Sequence, residues 1–94
     1  MFLVVMSRRG PEWDTSLPME GQQQWTEHAA FMDELVESGF LVLGGPLWDE
    51  VRVVHAVNAE SELAIRSTLS NDPWSDTKLV IESIDAWTIR LDGR

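Results

Sequence analysis

The stretch Phe40-Leu41-Val42-Leu43-Gly44-Gly45-Pro46, followed shortly by Val51-Arg52-Val53-Val54-His55-Ala56-Val57, decides the fold. Two short segments rich in β-branched and apolar residues follow each other with a Gly/Pro-containing connection between them. Phe40–Leu43 reads as a strand stopped by Gly44-Gly45-Pro46, and Val51–Val57 as the next strand, paired antiparallel with it. Both are bracketed by segments of helical period. Upstream, Trp25, His28, Ala29, Met32, Leu35 and Val36 recur at gaps of three and four, one stripe of a helix from about Glu20 to Ser38. Gly39 is placed to end that helix in the left-handed conformation. Downstream, Asn58 is a good N-cap, with Glu60 and Glu62 favourable in the first turn, and the helix runs to about Leu69. Asn71-Asp72-Pro73 breaks it, because a residue before proline avoids helical geometry.

Phe2–Ser7 reads as a buried first strand, Arg8–Pro18 as a loop, and Leu79–Leu91 as a last strand with Leu79, Ile81, Trp87, Ile89 and Leu91 in one alternating register. The order βαββαβ over a single domain, residues 1–94, predicts an α+β, ferredoxin-like arrangement: a four-stranded antiparallel sheet with two helices on one face. Both alternating sets of the first strand are apolar, Phe2-Val4-Met6 and Leu3-Val5. The third strand repeats this, with Val51-Val53-Val57 facing one way and Val54-Ala56 the other. Two helices cover only one face, so the other needs a cover. A second copy of the same sheet is the simplest, which predicts a homodimer; a monomer with a tolerated apolar face is the ordinary alternative.

A chain of 94 residues buries only somewhat over ~60% of its unfolded surface, so help from a second subunit would matter. It has no cysteine, which suits a reducing cytoplasm and leaves no thiolate metal site. The opening apolar run is too short to span a membrane and has no basic region before it, so neither a signal peptide nor an anchor is expected. Sixteen acidic against seven basic side chains give a net charge of −9. That surface repels phosphates and anionic lipid, and no nucleic-acid or membrane partner is expected.

Three features could carry chemistry. His28 lies on the apolar stripe of the first helix, either as a structural histidine with both ring nitrogens satisfied or as a proton-transfer group kept from bulk water. Gly44-Gly45-Pro46 is either a turn or bulge, or a place where missing side chains let a ligand approach the backbone. Asp72 either forms a turn by bonding backbone amides or orients an imidazole. His55 shares the alternation of Val51, Val53 and Val57 and reads as a partly buried structural residue. His28 and His55 have neither the spacing nor the neighbours of a metal site.

Glu27-His28-Ala29, Leu35, Gly39 through Leu47, and Asn71-Asp72-Pro73-Trp74 together resemble the YCII-related family over nearly the whole chain, as far as Ala86-Trp87. The resemblance implies a dimeric α+β barrel of two face-to-face sheets and an active-site His–Asp pair, matched here by His28 and Asp72. Many relatives carry arginine where this chain has Trp25; Arg8 or Arg9 could take over an anion-binding role. Trp25, Trp48 and Trp74 could wall a pocket, with Gly44, Gly45 and Pro46 beside the ligand. The expectation is a cofactor-independent lyase, dehydrohalogenase or isomerase acting on a small organic molecule, with His28 as general acid/base and Asp72 fixing its tautomer. Haem binding through a helix histidine, known in neighbouring barrel families, is a minor alternative. The main alternative is a module that binds a small ligand without turnover.

Overall fold

A computed structural model describes all 94 residues. The elements are β1 (Phe2–Ser7), α1 (Trp25–Glu37), β2 (Leu41–Pro46), β3 (Arg52–Val57), α2 (Glu62–Leu69) and β4 (Val80–Ala86), with a single 3-10 turn at Met19–Gly21. All neighbouring strands are antiparallel and the sheet order is β2-β3-β1-β4, the ferredoxin-like order expected from the sequence. No helix is long and apolar enough to cross a membrane.

Register separates the two faces of the sheet. Val4 lies opposite His55 on one side and Ile84 on the other, and Met6 opposite Val53 and Ile81. Directly opposed residues share a face. This face meets both helices: Val4, Met6, Val57 and Leu41 form one buried cluster with Leu35 of α1, Ile65 and Leu69 of α2, and Trp74 and Leu79 beyond it. The other face carries Leu3 opposite Ala56 and Val5 opposite Val54, with neither helix over it. Leu43 stands 68% exposed on that side.

Four boundaries differ from the sequence reading, each for a local reason. α1 begins at Trp25 rather than near Glu20, because Gln24 is left-handed (φ 63°) and Gln22 is engaged elsewhere. The Gln22 amide donates to the carbonyls of Asp14 (2.7 Å) and Leu17 (3.1 Å) and accepts from the Asp14 N–H (3.0 Å), bolting the Arg8–Pro18 loop to the domain. β2 does not stop at Gly44; it continues through Gly45 and Pro46, which lie opposite Val54 and Val53. Proline is tolerated there because β2 is an edge strand.

α2 is capped by Ser61, whose hydroxyl accepts from Ala64 N–H at 3.1 Å. Asn58 lies too far ahead of Glu62 to cap; it still follows β3, its N–H donating to Phe40 O. β4 ends at Ala86 rather than Leu91. Its only neighbour, β1, begins at Phe2, and after the bond from Trp87 N–H to Met1 O no rung remains for Ile89 and Leu91. A bulge at Glu82 also interrupts the expected alternation, and its carboxylate accepts from the buried Ser7 hydroxyl at 2.6 Å.

Candidate active site

α1 turns His28 and Leu35 fully inward and leaves Trp25, Ala29 and Met32 half-buried, so the stripe read from the sequence is real but only partly covered. Val36, expected inside, is exposed. The gap beneath the half-covered side chains is the site.

The segment after α2 supplies the second group. Asp72 N–H donates back to Leu69 O, and the Asp72 carboxylate accepts from Trp74 N–H at 2.9 Å. This is the tight side-chain turn that aspartate before Pro-Trp favours. The same carboxylate reaches His28: Nδ1 lies 2.9 Å from Oδ1 and 2.8 Å from Oδ2, with both residues buried. The two candidate residues, 44 positions apart in the chain, are therefore in direct contact. A carboxylate accepts only, so Nδ1 carries a proton and Nε2 is left as the working nitrogen. Nε2 makes no hydrogen bond within the protein, and His28 lines the cavity.

Trp74 fixes this geometry. Its indole stacks on the His28 ring with centroids 4.0 Å apart and planes 7° from parallel, and its Nε1 donates to Gln23 O at 2.7 Å, just ahead of α1. The edges of Trp13 and Trp25 pack around it. One buried side chain thus ties the Asp72 turn, the start of α1 and the loop before it to a single position of the imidazole.

The cavity has a volume of about 400 Å³ and is lined by His28, Trp25, Trp74, Gly44, Gly45 and Pro46, the residues the sequence brought forward, with Asp72 behind His28. Trp48 does not join them and stands 94% exposed. Two further wall residues were undervalued. His55 is fully buried rather than partly so, and its Nδ1 is enclosed without a partner. Burial first, and then the charge of His28, push it down to about 4 against a smaller opposing effect of Asp72, so its ring is neutral at neutral pH. The signal in the sequence was the alternation His55 shares with Val53 and Val57; its place opposite Gly44 is a matter of strand register.

Arg8, at the mouth, donates to Glu50 O (2.7 Å), touches Met19 Sδ (3.3 Å) and sits over the Trp13 ring, with no carboxylate paired to it. Arg9 is exposed. No three His, Cys, Asp or Glu side chains come together as a metal-ligand set.

Compared with models of known protein families, with curated proteins and with solved structures, the chain gives no match in any of the three.

Proposed function

We propose that this protein catalyses proton transfer on a small organic molecule held in the cavity, with His28 as general acid/base and Asp72 orienting it. The observation that carries this reading is the buried His28–Asp72 contact, in which both carboxylate oxygens occupy Nδ1 while Nε2 stays free of protein partners on a residue that lines the cavity. A general base needs a free nitrogen of defined tautomer within reach of substrate, and such a group contributes typically ~10² to 10⁴ in rate. Lyase, dehydrohalogenase and isomerase steps all suit one positioned base. Trp25 and Trp74 offer flat apolar walls, and Arg8 offers a cation not committed to a carboxylate, which suits a ligand with an unsaturated body and an anionic end.

The proposal includes a homodimer joined through the sheet face of Leu3, Val5, Val54 and Ala56, membership of the YCII-related family on the motifs quoted above, and a cytoplasmic location. Nucleic acid and anionic membrane are excluded from it as partners by the acidic surface.

The test is solvent-deuterium uptake. Wild-type protein is incubated in D₂O with a panel of small carbonyl, hydroxy and halogenated acids, followed by proton NMR. Deuterium incorporation or product formation that disappears in His28→Gln supports the enzyme. Tight binding of panel members with no exchange in wild type supports instead a non-catalytic ligand-binding module.

A further inference from the structure

Gly44 and His55 lie directly opposite each other on β2 and β3. A Cβ built on Gly44 would fall inside contact distance of His55 Nδ1, while remaining 2.9 Å from Cε1 and 3.2 Å from Cγ. A point above the ring face would be comparably close to all three atoms. This one is much nearer the nitrogen than the two carbons bonded to it, so it lies near the ring plane, on the outward axis of Nδ1. One Hα of Gly44 occupies that direction. It points along the axis where Nδ1 would hold either a lone pair or a proton.

A proton on Nδ1 would collide with that Hα and have no acceptor, since Nδ1 is enclosed and partnerless. A lone pair there meets a weak C–H donor, the same kind of contact that recurs between adjacent strands. The neutral ring therefore carries its proton on the other nitrogen. Nε2 has no partner in the protein either, and His55 borders the same cavity as His28. The two imidazoles are thus set in opposite tautomers: Asp72 holds the His28 proton on Nδ1, and Gly44 excludes a proton from the His55 Nδ1.

We propose that His55 is the electrophile of the site, donating its Nε2–H to the carbonyl oxygen of a ligand whose adjacent carbon gives a proton to His28 Nε2. The inference rests on the proton-transfer reading of His28 and Asp72 and names its substrate class: a carbonyl compound with an acidic α-hydrogen. The proton moves from the α-carbon to His28 Nε2. The C–H electron pair becomes the C=C bond of an enolate, and the carbonyl π pair moves onto oxygen, where the His55 N–H holds the charge. Collapse restores the carbonyl. The electron pair then either takes the proton back from His28 at another carbon of the conjugated system, which is an isomerisation, or expels a β-substituent with its bonding pair, which His28 protonates. An uncharged imidazole N–H can act as such an electrophile, and a preorganised donor aimed at a developing oxyanion is often the largest single contribution to rate.

The experiment has two arms. Long-range ¹H–¹⁵N spectra of the wild-type protein at pH 7 should show His55 neutral with its proton on Nε2, and His28 with a proton on Nδ1. A proton on His55 Nδ1, or a charged His55, overturns the inference. A His28 whose only proton is on Nε2 overturns the proton-transfer reading itself, so the two failures are distinguishable. In the second arm 4-nitrophenolate, a planar enolate mimic, is titrated into wild type, His28→Gln and His55→Leu. Binding should shift the His55 Nε2 resonance and weaken at least tenfold in His55→Leu, while His28→Gln retains most of it. Equal affinity in His55→Leu, or binding that leaves the His55 resonance unmoved, overturns the inference. If His55→Leu does not fold, His55→Val, smaller and suited to a strand but without the N–H donor, is read in its place.

Discussion

The His28 imidazole lies flat against the Trp74 indole, with ring centroids 4.0 Å apart and planes 7° from parallel. One face of the base is thereby covered. Rotation of the ring about its own bond would break both the stack and the contact with Asp72, so the reactive nitrogen has one direction in which to act.

Trp74→Phe should preserve much of the stack while losing the hydrogen bond to Gln23 O, lowering stability by about 1–3 kcal/mol. Trp74→Ala removes a buried aromatic and should cost about 3–5 kcal/mol. Denaturant titration followed by circular dichroism measures both. A cost below about 1 kcal/mol for the alanine variant would contradict the hub role assigned to this residue.

Asp72→Asn keeps an oxygen able to accept from Trp74 N–H but offers His28 only one acceptor. The proposed catalysis predicts a folded protein whose proton-exchange rate falls by about 10² or more. A purely structural role would instead show unchanged exchange and a melting temperature lower by several degrees.

His55 titrates near 6.5 when unfolded and near 4 when folded. Between those values the unfolded chain holds a proton that the folded chain lacks, so stability rises with pH across this window and is lost as pH falls through it. At about 1.4 kcal/mol for each pH unit, the loss from this group approaches ~3 kcal/mol by pH 4. Urea midpoints measured from pH 7 to 4 should fall accordingly, and His55→Leu should flatten that part of the curve.

Gln22→Ala strips three hydrogen bonds from the Arg8–Pro18 loop. The expected cost is about 2–3 kcal/mol, or roughly 10 °C in melting temperature for a domain of this size. Hydrogen exchange should speed up first at Asp14 and its neighbours.

Light scattering on wild type should give about twice the 10.7 kDa chain mass. Val54→Asp places a carboxylate on the sheet face away from the helices and should shift the protein to monomer or unfold it, because burying an unpaired charge costs several kcal/mol. Wild type that scatters as a single chain would remove the dimer from the proposed function.

The elements that were legible in the sequence are those whose pattern and partners are local. The α1 stripe, the termination at Gly39 (φ 83°) and the two-faced strands all follow from side-chain period and backbone sterics. His28 and Asp72 were legible as candidates, but their contact was not, since it depends on how the Pro73-Trp74 turn docks on α1. The misread ends have one origin in common: their neighbours decide them. Asn58 looks like a cap until β3 is seen to hold the chain as far as its N–H, so that α2 starts only at Glu62; Ile89 and Leu91 look like strand residues until β1 has no rung to offer them. His55 was undervalued because burial alone describes it poorly; what matters is the glycine across the strand.

That pairing also constrains how the sequence can change. Any side chain at position 44 collides with the imidazole at 55, so position 44 cannot change while His55 stays in place. A methyl group gained at position 44 must either displace the imidazole or follow its replacement by a smaller residue. Position 55 can take a smaller residue first and leave room at position 44, whereas the reverse order meets the clash. Glycine at 44 and histidine at 55 therefore form one steric unit, and substitutions at the two positions are not additive.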